Sequence, residues 1–346
     1  MDEFVHDLST VCKIKKIMNL KLGNIIFISI LLLLISCQKE RQLQLETVKY
    51  KQLSFVEGWG DSIFLSKVRD LQFHENRLYI SDQYLSQVIE TNKNFTLDRL
   101  IGRQGSGPED FVSIESIALE DSFLYVFDMG HSAVLCFNQK SEFRGKYALL
   151  NDRIYMPYRF FVDDSYLYVS TAEKKGLFLE VNMRIGTESY CGKRKDFGED
   201  LPNRIRNSRH LLNFDGKCIT VSDNIPIVEI YDLKSKQMID GLDFSDTDYI
   251  KKDLIKNENI RKLNSYTKIV SDAYVDGNYL YVLLFGTGTS GETLSNEILK
   301  IELSPVLKKK EIIQLPGTNY LHICVNQDSI YAYNRKDARI ELLVRE

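Results

Sequence analysis

The chain has 346 residues, with 45 Lys and Arg against 48 Asp and Glu, a net charge of −3, 44% hydrophobic and 11% aromatic residues. That length allows two ordinary domains or one large all-β ring; near-neutral charge argues against a dedicated nucleic-acid binder, and the ordinary composition excludes wholesale disorder and a polytopic membrane chain. The 19 Tyr and 18 Phe set against only 6 Pro lean toward strands, because aromatic rings suit a pleated surface.

Residues Ile25–Ile35 form an apolar run broken only by Ser29. The run is shorter than the ~20 residues a spanning helix needs and has the length of a signal-peptide core. Lys21 precedes it, and Leu34-Ile35-Ser36-Cys37 follows. This tetrapeptide resembles the lipobox of bacterial lipoproteins, which implies acylation of Cys37 and its exposure as the mature N-terminus. A membrane anchor through lipidated Cys37 is therefore expected, because several acyl chains hold where one is marginal. The acidic stretch 1–17 makes a poor signal start, so translation is expected to begin at Met18, with the signal peptide at 18–36 and a tether at 37–46. The charged run Gln38-Lys39-Glu40-Arg41 resembles that of surface-exposed lipoproteins of Bacteroidota, which implies an outer-membrane location, facing the periplasm or the surface. Removal of 1–36 leaves 41 basic and 45 acidic residues, net −4.

Past the tether, one pattern recurs six times: an alternating apolar run, a polar turn, then a strand usually centred on tyrosine. The central residues are Tyr79, Tyr125, Tyr168, Thr220, Tyr281 and Tyr331, separated by 46, 43, 52, 61 and 50 residues. Eight residues before them stand Leu71, Ile117, Phe160, Leu212, Ala273 and Ile323, all apolar. Units of this length, each with two further strand-like runs, are the signature of propeller blades, four-stranded antiparallel sheets around a channel. The last unit, ending in RIELLVRE, has only three strands, while the orphan run 47–55 precedes the first blade. An all-β, six-bladed β-propeller over 47–346 is expected, its ring closed by strand 47–55 added to the last blade.

The stretch Gly102–Phe111, with Gly105, Gly107 and Pro108, resembles the NHL-type propeller repeat, and the whole chain resembles the TolB-like six-bladed lipoproteins of Bacteroidota. Asp82, Asp128 and Asp223 match a recurrent aspartate that bonds turn amides. Two stretches break the rhythm, the basic 193–209 and the segment 246–268, which has near-helical apolar spacing and is read as a solvated insertion. The glycine-rich Phe285–Gly291 is read as a flexible loop between strands.

No cofactor motif is present: there is no Walker loop, no G-x-S-x-G, no zinc spacing among Cys136, Cys191, Cys218 and Cys324, and no paired spacing among His74, His131, His210 and His322. Those four cysteines are expected to be free buried thiols. Residues just before each inner strand should crowd the channel, which nominates a funnel of Arg69, Asp70, Glu115, Arg159, His210, Asp272 and His322. Such a set can bind a sugar, a peptide or an anionic small molecule, with Arg69 and Arg159 as oriented donors, or its charges can pair with one another. The expected function is a binding or scaffolding module, monomeric, without nucleic acid, taking a small molecule, glycan, peptide or protein at the channel face. The alternative is a metal-dependent lyase or lactonase-like hydrolase, as in related propellers, with Asp70, Glu115, Asp272 and His322 as candidate ligands.

Overall fold

Apolar residues at every second position, punctuated by tight polar turns, produce short antiparallel strands with one face to each neighbour. In the computed structural model, residues 45–149, 158–171, 173–198, 205–259, 268–288 and 291–346 are described. Met18, the signal segment 18–36, Cys37 and all but the end of the tether lie outside them. Three of the hairpins turn through two residues that both have positive φ, Glu75-Asn76, Asp164-Ser165 and Asp215-Gly216, a geometry that matches the twist of the flanking strands.

The first strand, β1 (Glu46–Val56), is followed by a small hairpin, β2 (Gly58–Trp59) and β3 (Ile63–Phe64). Blade one comprises β4 (Val68–His74), β5 (Arg77–Asp82), β6 (Gln87–Asn92) and β7 (Leu97–Ile101), and blade two β8 (Ile114–Glu120), β9 (Phe123–Asp128), β10 (Ala133–Asn138) and β11 (Phe143–Ala148). Blade three is β12 (Phe161–Asp163), β13 (Tyr166–Ser170), β14 (Phe178–Asn182) and β15 (Glu188–Cys191). Blade four is β16 (Arg209–Phe214), β17 (Lys217–Ser222), β18 (Ile227–Asp232) and β19 (Met238–Asp243). A helix, α1 (Asp248–Asn259), leads to blade five, β20 (Val270–Asp276), β21 (Tyr279–Thr287), β22 (Thr293–Glu302) and β23 (Lys308–Gln314). Blade six has β24 (Tyr320–Asn326), β25 (Ser329–Asn334) and β26 (Arg339–Arg345) from its own stretch of chain.

The missing fourth strand of blade six is β1, whose residues Tyr50–Val56 pair antiparallel with Ile340–Arg345. Residues Glu46–Lys49 also pair in parallel with Glu311–Gln314 of β23, so the strand bridges the outer edges of blades five and six. The innermost strands β4, β8, β12, β16, β20 and β24 each contact the next, and β24 contacts β4, which completes a circle.

The core lies between blades. Tyr79 packs with Phe111, Ile117 and Leu124 of the following blade, Tyr125 with Phe160 and Leu167, and Tyr168 with Leu211 and Tyr231. Tyr331 carries the pattern from blade six to blade one, stacking on Phe73 with ring centroids 5.4 Å apart and donating to the Lys93 carbonyl. The recurrent tyrosine is therefore the wedge between neighbouring sheets, which is why the chain is rich in that residue.

Blade four corrects the sequence alignment by one residue. Tyr79 pairs across its hairpin with Gln72 and Tyr125 with Ala118, but in blade four the same hairpin position falls on Ile219, opposite Leu212, and not on Thr220. Its inward apolar residue is accordingly Leu211, fully buried. The recurrent turn acceptor shifts too. Asp82 accepts the amides of Ser66, Lys67, Tyr84 and Leu85, and Asp128 those of Val112, Ser113 and Gly130. In blade four that place belongs to Ser222, which accepts from Asn224 and Ile225, leaving Asp223 for another use. Because side chains alternate with period two, a one-residue slip exchanges the faces of the strand.

The insertion before blade five is docked, not simply solvated. Ile250 and Asp253 of α1 are buried, and Asp253 accepts from both the amide and the hydroxyl of Thr287. Phe285–Thr287, read as loop, instead extends β21, and a Cβ on Gly286 would lie 3.1 Å from the Tyr249 ring of the helix. Cys136, Cys191, Cys218 and Cys324 are free and buried, and burial raises the pKa of each thiol. A chain shortened to begin at Gly58 is expected to unfold at lower urea and to self-associate through the uncovered edge of β26. A monomer with an unchanged midpoint, by denaturation and light scattering, would contradict this role for β1.

Candidate functional site

In blades one, two, five and six the inner strand carries a bulge, between Val68 and Asp70, Ile114 and Ser116, Val270 and Asp272, and Tyr320 and His322. A bulge re-aims the side chains beside it. With blade four in its corrected register, one layer of the ring consists of Asp70, Ser116, Arg159, His210, Asp272 and His322. Every member is polar.

Arg159 crosses the centre of this layer from blade three. Its Nε and Nη2 each donate to Asp272 at 2.6 Å, Nη2 also to the Ile323 carbonyl at 2.7 Å, and Nη1 to the Leu71 carbonyl at 3.2 Å. Nη1 also lies 2.8 Å from Oδ1 of Asp70, and the guanidinium stands over the Tyr274 ring. One side chain thus ties blade three to blades one, five and six. Each nitrogen of the group already faces a protein oxygen, so the guanidinium is engaged inside the protein.

The two carboxylates are braced by the next blade: Asp70 accepts the Ile117 amide and Asp272 the Ile323 amide. Burial pushes the pKa of Asp70 up to about 6 against the pull of Arg159. Burial also opposes ionisation of Asp272, but Arg159, which grips both of its oxygens, and His322 outweigh it and hold the group well below the usual carboxylate range. Burial equally opposes the charge on Arg159, yet Asp272 and Asp70 keep its pKa raised.

Two histidines flank Asp272. Nδ1 of His210 lies 3.9 Å from Oδ1 and Nδ1 of His322 lies 3.7 Å from Oδ2. His210 is 5% exposed, its ring edge-on to Tyr158, and neither ring nitrogen has a hydrogen-bond partner. Burial pushes its pKa down to about 3 and lowers that of half-buried His322, so both rings are neutral at neutral pH. Arg69 and Glu115 form a separate pair on the rim, with Nε of Arg69 donating to Glu115 at 2.6 Å and Gln83 donating to the other carboxylate oxygen.

All seven residues nominated from the sequence lie at the ring centre or its rim, but they divide into a plug, Asp70-Arg159-Asp272, a rim pair, Arg69-Glu115, and two imidazoles. Ser116, which donates to the Tyr158 carbonyl, shares the register of the layer but was not nominated, although its position predicts it at the channel. The sequence also did not pair Tyr158 with Asp223, whose carboxylate accepts from the phenol at 3.0 Å. Buried Arg209 stands opposite Ser222, a place held by apolar residues in the bulged blades, and only the absence of a bulge in blade four reveals it. Among the described residues no group of three or more His, Cys, Asp or Glu side chains is placed to hold a metal ion.

A family model described as a six-bladed β-propeller, DUF5128, matches residues 59–283. Among solved structures, a member of the DUF4221 family from Bacteroides vulgatus has a TM-score of 0.55 at 10% identity, with 87% of this chain and 97% of that one covered. A Bacteroides fragilis protein inferred to be exported gives 0.57 at 14% identity, covering 87% and 98%. A streptogramin B lyase gives 0.51 at 9% identity, covering 86% and 98%. At these identities the likeness extends to the fold alone. No curated protein matches in sequence.

Replacing Arg159 with Met is expected to destabilise the protein by about 3–5 kcal/mol, because two carboxylates stay buried without their cation; adding Asp272→Asn should recover part of the loss, as measured by urea unfolding. The histidines set a pH dependence. A pKa lowered on folding stabilises fully above the unfolded value of about 6.5 and less as pH falls toward about 3. The raised pKa of Asp70 acts oppositely, its contribution falling as pH rises to about 6. The stability of His210→Leu relative to the native chain is therefore expected to grow by about 1.4 kcal/mol per pH unit below 6.5. A difference that stays constant with pH would mean that the imidazole titrates normally.

Proposed function

Because the chain belongs to the DUF5128 family of six-bladed β-propellers, its function must reside in groups displayed on the ring, and we propose that it is a binding module, held at the cell envelope by lipidated Cys37, that takes its ligand at the mouth of the channel. The observation that carries this reading is the contrast within one layer. Arg159 closes the centre with all its nitrogens engaged, whereas His210 has polar atoms with no partner and His322 and Arg69 are partly open to solvent. A centre closed by Arg159, with solvent-open polar side chains beside it, suits a ligand held at the channel mouth rather than one passed through.

The same geometry weighs against the metal-dependent hydrolase or lyase. Three of the four candidate ligands are consumed, Asp70 and Asp272 by Arg159 and Glu115 by Arg69 and Gln83. Likeness to a streptogramin B lyase supports the architecture and carries no chemistry across. Export is supported by the lipobox-like Leu34–Cys37 and by the Bacteroides fragilis neighbour inferred to be exported. No described helix is long and apolar enough to cross a membrane; the attachment proposed is through Cys37.

Two measurements test the reading together. A thermal-shift screen of glycans, peptides and metals should yield a ligand whose shift is reduced by His322→Ala or Arg69→Ala; saturation at a hundred times Kd adds about 2.7 kcal/mol. A ligand indifferent to both substitutions moves the site off the channel mouth. In fractionated cells, Cys37→Ala should release the protein from the membrane pellet, and continued sedimentation with membranes would remove the lipid anchor from the proposal.

A further inference from the structure

Blades one and two enclose an open cleft of about 320 Å3, at the end of their inner strands opposite to Arg69 and Glu115. Every residue that lines it is described. Tyr79, Glu90 and Arg99 of blade one face Leu119, Phe123 and Leu124 of blade two across it, and exposed Glu75, Asp121 and Gln139 border its mouth.

Tyr79 is 9% exposed. Two of its counterparts bond through their hydroxyls, Tyr125 to Glu120 and Tyr331 to the Lys93 carbonyl. Tyr79 stands opposite Glu90 in the next strand, but that carboxylate is taken, Oε1 by Arg77 and Arg99 and Oε2 by Arg99. Glu90, Arg77, Arg99 and Glu75 act on the phenol through charge alone. Among the described residues its hydroxyl is thus without a hydrogen-bond partner, free to accept from a group in the cleft. Tyr281 of blade five also makes no such bond. There the residue opposite is Lys300, whose ammonium lies 5.5 Å from the centre of the Tyr281 ring and 3.1 Å from Glu311. Where the fold fills the equivalent place itself, it does so with an alkylammonium.

Charge points to the same group in blade one. Glu90 and Asp98 balance Arg77 and Arg99. Glu75 and Asp121 remain, and neither has a lysine or arginine partner among the described residues. Glu75 meets only His74, at 3.8 Å, and His74 Nε2 faces the Asp121 carbonyl at 3.1 Å. Two uncompensated carboxylates at the mouth attract a cation and repel an anion. A bare metal ion is not served, because no described group of three or more His, Cys, Asp or Glu can hold one. Phe123, 38% exposed in the same lining, offers an aromatic ring to a cation and apolar surface to its stem.

We infer that the cleft between blades one and two binds a primary alkylammonium group. The Tyr79 hydroxyl accepts from the ammonium, Glu75 and Asp121 supply the counter-charge, and Phe123 packs against the alkyl stem. This site is separate from the one proposed at the channel mouth and does not depend on it.

The test is titration calorimetry on the purified protein at low ionic strength, where attraction between exposed charges is least screened. Putrescine and cadaverine represent free amines and Nα-acetyl-lysine amide a lysine side chain, with 1,4-butanediol and succinate as neutral and anionic controls. At least one amine should bind, and both controls about tenfold more weakly or not at all. Glu75→Gln and Asp121→Asn should each weaken the amine up to about fivefold, and Tyr79→Phe about tenfold. The stronger of the free amines and the lysine amide identifies the source of the ammonium, and either result supports the class. A further readout needs no ligand. Because the Tyr79 hydroxyl has no protein partner, Tyr79→Phe should leave the Tm within about 2 °C of the native value; a larger fall would make the hydroxyl a structural group and overturn the inference. Absence of binding by every amine, or equal binding of a control, overturns the ligand class. An amine that binds undiminished in both Tyr79→Phe and the Glu75→Gln/Asp121→Asn double variant overturns the site, as does an amine lost in Arg69→Ala, which would lie at the channel mouth instead. Failure to find any ligand at the channel mouth leaves the cleft standing.

Discussion

The ring depends on one buried guanidinium. A propeller has no layer of core at its axis; six sheets meet edge-on, and their innermost residues either leave a hole or must satisfy one another. Here Arg159 fills the axis and accepts that constraint for four blades at once, bonding to Asp272 and the Leu71 and Ile323 carbonyls and pairing in charge with Asp70. Isolated buried ion pairs are weak sources of stability, because desolvation offsets their attraction. What a planar, five-donor group adds is geometry: the angular positions of blades one, three, five and six are set against a common centre.

From that centre outward, a few polar devices join neighbouring blades. Asp70 and Asp272 reach the amides of Ile117 and Ile323, Ser116 and Ser271 reach the carbonyls of Tyr158 and Leu321, and the Leu211 amide reaches the Arg159 carbonyl. Farther from the axis, tyrosine and phenylalanine wedges fill the gaps between sheets. At the perimeter β1 pairs with two blades at once. Polar ties at the axis and apolar wedges outside it are what a radial fold requires, since the space between sheets widens with radius while the centre is too narrow for a second layer of side chains.

Much of this was legible in the residues, for a definite reason. Alternation, turn residues and a spacing of 43 to 61 residues are local properties of the chain, so blade number and the exchange of a strand between the two ends of the ring could be read before any contact was known. Blade four shows where local reading fails. The dipeptide Ser222-Asp223 offers two turn acceptors, and the aspartate resembles those of blades one and two, but the hairpin turn at Asp215-Gly216 places Ser222 in the position of the acceptor. Once that register is set, His210 joins the layer of Asp70, Arg159 and Asp272. The docked helix failed differently: its apolar spacing was visible, whereas the surface it covers, Gly286 and Thr287 of β21, lies beyond a stretch of intervening chain.

By itself the sequence determined an all-β ring of six blades and the residues that face its axis, because periodicity and composition act over a few neighbouring positions. Only the tertiary structure decided which of the axial charges are spent and which polar groups remain open. Arg159 and Asp272 are separated by more than a hundred residues yet share two hydrogen bonds, and His210 is left unsatisfied by the same arrangement. Pairing between charges depends on distance and direction across the ring, and a residue's place in the chain specifies neither.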